Sequence, residues 1–221
     1  MSRLFSVTKS VEEIVAHFNV DVSPSVEVPS ETVEGTYGLI VFERDGLRTL
    51  RSVPWGFPRQ TTDMRRDGEP PGRIGLVADL TNPMWEKTVV DPQYRCLIPI
   101  THFANPEGAK GQKTRAWFSL HRQPLIAWAG FCRRTEAFGG VFAGMTMTAN
   151  ELVRPFNDRM PVLLKPDEYD RWLHGSIQDV IAFQFREPMP SEDFEILHTR
   201  DRWQSGIPPG NAFPRRHNML I

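Results

Sequence analysis

The hydrophobic positions divide the chain into short segments whose period keeps changing. Val11, Ile14, Val15 and Phe18 recur at helical spacing behind Ser10, with Glu13 three residues on as in a capping box. This predicts a helix over about residues 9–18. Residues 20–36 mix Val, Ser, Pro and Glu and read as an extended loop. Tyr37–Glu43 and Leu47–Val53 read as two strands around Asp45-Gly46, a hairpin turn signal. Pro58–Arg73 is the most loop-like stretch, with Pro58, Pro70, Pro71, Gly68 and Gly72. Strand-like runs follow at Gly75–Leu80, Tyr94–Ile100, Arg115–Leu120, Leu125–Phe131 and Val141–Thr148. A helical segment is expected from near Ala149, and a short helix over Asp167–Leu173 between Pro166 and Gly175. Ser176 is a candidate cap for another helix, Phe194–His198 for a last strand, and the segment from Gly206 is irregular.

Many short strands with a few helices make an α+β fold. The 221 residues suffice for one well-buried domain, and the whole chain, 1–221, is read as one. A charge of −1 argues against a dedicated duplex-DNA binder, so any nucleic-acid contact must come from a local patch. The four arginines Arg59, Arg65, Arg66 and Arg73 in the proline-rich stretch are such a candidate, beside the plainer reading of a solvated surface loop.

Cys96 and Cys132 lie in apolar runs without C-x-x-C spacing and read as small buried hydrophobes in strands. That cysteine usage fits a reducing cytoplasm rather than a disulfide framework. No signal-peptide pattern and no apolar window of membrane-spanning length is found. The six histidines are scattered, so no metal site and no cofactor is expected. Nucleotide-binding, zinc-peptidase and serine-hydrolase motifs are all missing. Asn157-Asp158-Arg159-Met160-Pro161 stands out, and by itself reads as a turn held by Asn and Asp side chains.

Several segments, in order, resemble the SOS-response-associated peptidase family. Phe156-Asn-Asp-Arg-Met-Pro161 before Val162-Leu-Leu164 is similar to its His-x-Arg-Met-Pro signature. Trp55-Gly56, Arg95-Cys-Leu-Ile-Pro99, Leu125-Ile-Ala-Trp-Ala-Gly130, Pro29 and Phe5 match further family positions, from residue 1 to about 175. The resemblance implies mostly antiparallel strands in a curled, pseudo-barrel sheet with a few flanking helices. It also implies handling of abasic sites in single-stranded DNA. In that chemistry the amine of an N-terminal cysteine forms a Schiff base with the opened sugar and the thiol closes a thiazolidine. An Asn, a Glu and a His surround the cysteine, and the Glu and His are the candidates for acid–base work.

This sequence departs from the pattern at all four positions, which hold Ser2, Val77, Asn105 and Asn157. A serine hydroxyl is a far weaker nucleophile than a thiol, and an amide does not shuttle protons in the working pH range. A retained Met1 would block the Ser2 amine altogether. The family's Asn-Ala-Arg arginine is Asp79 and its early arginine is Leu4, with Arg3 next door. Arg159, Arg154, Arg3, Trp55 and Pro29 remain as candidate DNA contacts, Trp55 equally as a core aromatic. His102 could stand in for the missing base, although strand alternation sets it opposite Asn105. Three functions follow: a non-catalytic protein for abasic or single-stranded DNA, an enzyme using the Ser2 amine alone, or a protein-interaction module.

Overall fold

The computed structural model describes Leu4–Trp203. The first strand, β1 (Leu4–Ser6), leads to α1 (Val11–Phe18), where Ser10 accepts from the Glu13 amide and Glu13 answers at the Ser10 amide. Ile14 and Phe18 are its buried face. The extended segment that follows ends in the short β2 (Thr32–Val33). β3 (Tyr37–Arg44) and β4 (Leu47–Pro54) form the expected hairpin, with Asp45 and Gly46 both at positive φ, 51° and 74°.

The proline-rich stretch is more ordered than its composition suggests. β5 (Phe57–Arg59) pairs with β6 (Gly72–Ile74), and Thr61 caps α2 (Thr62–Arg66) between them by accepting from the Met64 amide. Pro58 lies in β5 opposite Arg73, while Pro70 and Pro71 stand just outside the ladder. The run expected over Gly75–Leu80 shrinks to β7 (Leu76–Val77), because Asp79 turns the chain by accepting from the Thr81 amide. A short α3 (Glu86–Val89) precedes β8 (Arg95–Ile100).

Next comes β9 (His102–Glu107), a strand outside the strand-like runs expected from the sequence. Pro106 stands opposite Arg115 of β10. β10 (Thr114–Leu120), β11 (Ile126–Thr135) and β12 (Gly139–Thr148) follow. The helix expected near Ala149 is a single turn: Arg154 N–H reaches Asn150 C=O, but Pro155 has no N–H to continue. β13 (Arg159–Pro161) and β14 (Leu163–Leu164) lead to α4 (Tyr169–His174) and α5 (Ile177–Phe185), the latter capped by Ser176 and Asp179. β15 (Phe194–Arg202) is the last strand.

The strands form a five-stranded sheet in the order β15-β10-β9-β1-β2 and an eight-stranded sheet built on β13-β12-β11-β8-β3-β4, beside the β5–β6 pair. Nearly all the pairings are antiparallel, β7 against β12 being parallel. This is a mixed α+β domain with no closed barrel. The core's aromatic centre joins Phe5, Trp55, Trp128 and Phe142 at centroid separations of 5.2–6.4 Å. Each such buried ring contributes about 1.5–3 kcal/mol through removal from water. Cys96 and Cys132 are free and buried in β8 and β11, and burial pushes the Cys96 thiol pKa well up, so Cys96 is not a ready nucleophile. Among the described residues no helix is long and apolar enough to cross a membrane.

Candidate functional site

Asn105 and Asn157, 52 residues apart in sequence, meet in a direct hydrogen bond, Asn157 Nδ2 donating to Asn105 Oδ1 at 3.0 Å. Strand pairing places the first of them: β9 sets Asn105 opposite Ala116 of β10 and one residue beyond Ala104, which faces Leu4 of β1. The turn before β13 places the second. Asn157 N–H donates to Val153 C=O at 3.0 Å, and its Oδ1 accepts from Arg159 N–H at 3.2 Å. The turn reading of this motif therefore holds, and the same side chain also serves the site. Both amides are buried, Asn105 at 0% exposure and Asn157 at 8%. An amide pair of this kind keeps a polar geometry fixed while holding no proton that titrates.

Arg159 lies next to this pair, and its donors point into the fold. Nε donates to Thr146 Oγ1 at 3.2 Å, and Nη2 to Ala78 C=O at 3.1 Å and to Thr146 C=O. Gln184 of α5 converges on the same oxygens, Thr146 C=O at 3.1 Å and Ala78 C=O at 3.3 Å. Arg159 thus ties the end of β7 to β12 before it can serve a phosphate. Arg159→Ala is expected to lower unfolding free energy by about 1.5–3 kcal/mol, the worth of hydrogen bonds to a charged group. Arg159→Lys, with a point charge in place of the fork, should recover part of that in urea denaturation. A variant with unchanged stability would return Arg159 to the surface role.

The remaining candidates divide between core and surface. Val77 is fully buried in the hydrophobic core, and its backbone, not its side chain, faces the polar knot. Trp55, considered as a stacking platform, is corrected to a core residue. It is 0% exposed, donates to Gly75 C=O at 2.7 Å and lies against Phe142, so no ring face is open to a base. Pro29 is half-buried in the segment before β2, and Arg154 is exposed with one bond to Ala149 C=O. Ser2 and Arg3 lie outside the described residues. His102 is three residues from Asn105 on β9, bonds Thr101 Oγ1 at 2.8 Å and packs edge-on to Trp117. Burial lowers its pKa, and alternation turns it away from the amide pair.

The arginines of the proline-rich stretch also separate. Arg73 stacks on Phe138 at 3.8 Å and donates to Gly56 C=O. Arg66 pairs with Asp63 and Asp67. Arg59 and Arg65 are exposed, with no ion pair among the described residues. Asp79, exposed, is held below the usual carboxylate range by the Thr81 hydroxyl and amide, so it stays charged. Gln184 was not among the residues singled out in the sequence, because on an amphipathic helix with exposed neighbours nothing local marks it as buried.

Residues 1–202 match the family model described as SOS response associated peptidase (SRAP). The chain belongs to the SRAP family. Solved structures share the SRAP chain's fold at low identity. A protein from Bordetella bronchiseptica aligns with a TM-score of 0.74 and 18% identity, over 89% of this chain and 99% of that one. One from Bacteroides thetaiotaomicron gives 0.71 and 15%, over 88% and 90%. A phage-related protein from Bordetella bronchiseptica gives 0.68 and 17%, over 91% and 95%. No curated protein matches the sequence. SRAP membership carries a peptidase-like role associated with the SOS response to DNA damage.

Proposed function

We propose that this SRAP protein associates with abasic sites or single-stranded DNA in the cytoplasm of a bacterium or its mobile elements, with covalent crosslinking and autoproteolysis lost. The Asn105–Asn157 hydrogen bond carries this reading. These are the positions where the resemblance puts the family's Glu and His, and the two side chains still meet. What has gone is the titratable proton: an amide pair can hold a sugar or a phosphate oxygen, but it cannot relay a proton between them. Ser2 in place of the cysteine removes the thiol that would close a thiazolidine.

With Arg159 engaged internally, reversible DNA contact falls to the exposed arginines, Arg154 first and then Arg59 and Arg65. Such binding is dominated by phosphate and weakens steeply with salt.

The deciding measurement is intact mass after incubation with single-stranded DNA carrying one abasic site, with and without borohydride. The expected result is an unchanged mass in both arms, together with salt-sensitive reversible binding. A DNA-sized gain only with borohydride would instead assign a transient Schiff base to the Ser2 amine. Absence of any binding at low salt would leave the protein-interaction reading in its place.

A further inference from the structure

The eight-stranded sheet curls until the start of β12 comes close to β4, and a groove of about 460 Å³ opens between them. That volume falls within the ~300–1,000 Å³ typical of ligand clefts. Phe42, Val53 and Tyr94 supply a partly open apolar floor, backed by the buried Ile40, Cys132 and Val141. Arg44, Arg51, Arg133 and Arg134 form the rim, and no carboxylate lines the groove. In a chain of net charge −1 this is a concentrated positive patch. None of the four arginines forms an ion pair among the described residues. Asp91 feels the charge of Arg44, but its carboxylate is already engaged by the Gln93 amide and side chain. The groove is separate from the amide pair: Val141 precedes Thr146 by five residues of β12, roughly 17 Å of strand.

We propose that this groove docks an acidic peptide segment of a partner protein, one large apolar side chain seated on the floor and flanking carboxylates held by the arginine rim. The chemistry of the walls selects that occupant. A bare polyanion would leave the apolar floor unused. Single-stranded DNA would need open aromatic faces, yet the Arg44 guanidinium lies 5.7 Å over the Phe42 ring and Arg133 5.8 Å over Tyr94. Between those two rings the partly open aliphatic surface is that of Val53, which offers no π face. Arg–carboxylate pairs at such a rim set register and speed encounter, and the buried apolar anchor supplies residence time. The complement of the groove is therefore apolar at its centre and acidic at its edges.

The test is fluorescence anisotropy with a labelled heptapeptide carrying Phe at its centre and Asp or Glu elsewhere. Saturable, salt-sensitive binding is expected. Changing the central Phe to Ala, or the acids to their amides, should each weaken it at least ~10-fold, as losing an anchor or a charge cluster does. Arg51→Glu with Arg134→Glu should weaken it by a similar factor. Both side chains are exposed, so the variant should keep the wild-type melting temperature. Equal binding of the Ala peptide would reduce the groove to a charged surface and overturn the proposal. So would oligothymidine that binds more tightly and loses affinity with the same charge reversals. No binding at low salt would overturn it outright.

Discussion

Gly144→Ala is expected to destabilise the fold by roughly 3 kcal/mol or more, beyond the usual range for an added methyl group in a packed core. A Cβ at Gly144 would sit 2.0 Å from Trp128 Cζ2 and 2.2 Å from Cε2. The strand cannot retreat, since Gly144 is paired to Gly130 of β11 on one side and Leu76 of β7 on the other. Nor can the indole, whose Nε1 donates to Met145 C=O at 2.7 Å and whose ring meets Trp55 and Phe5 edge-on. Against a total stability of roughly 5–15 kcal/mol, the loss would be visible as a large shift of the urea midpoint. Gly140→Ala on the same strand is the control, because there the new carbon meets only Val53 Cγ1 at 3.6 Å. Equal, small effects at both positions would show that the Trp128 cluster is looser than its geometry.

The second large effect concerns activity. Ser2→Cys, Asn105→Glu and Asn157→His together are expected to restore a covalent, borohydride-independent adduct with abasic single-stranded DNA. Ser2→Cys alone should react at least ~100-fold more slowly, since positioned acid–base groups contribute about 10²–10⁴-fold. The pair must be changed together. Asn105→Glu alone puts a carboxyl at a position with 0% exposure, where desolvation raises its pKa. A raised folded-state pKa means the folded form binds the proton more tightly. Stability is then retained below the unfolded pKa of about 4.3 and lost as pH rises above it. The protonated imidazole supplied by Asn157→His should relieve that loss by favouring the carboxylate, which a urea titration across pH would show. No adduct from the triple variant, by intact mass, would mean that the site differs from the family's in more than these side chains.

What could be read in the sequence was what its local chemistry determines. Ser10 and Glu13 announce α1, and Asp45-Gly46 fixes the β3–β4 register because both residues must adopt positive φ. The long-range partners were not legible. Nothing local pairs β1 with β9, or makes Asn105 meet Asn157 across 52 residues. Family resemblance marked each asparagine separately, and only the fold shows that they share a bond. Trp55 was ambiguous because burial depends on Gly75, twenty residues away, leaving room for its indole. Likewise the β5–β6 pair was hidden by Pro58, Pro70 and Pro71, which give that stretch the composition of a loop.

The first strand has a consequence for the order in which the protein is made. β1 lies between β2 and β9, and Leu4 faces Ala104, a residue about a hundred positions later. A ribosome adding roughly 5–20 residues per second needs a further 5–20 s or so before that partner exists. Closing so long a loop is also entropically slow. Throughout that interval the nascent chain presents Phe5 to the cell before the tryptophans that bury it have folded around it. Of the described strands β1 is made before β9 yet is housed only once β9 exists, so chaperones that hold exposed aromatic segments have Phe5 to cover in between.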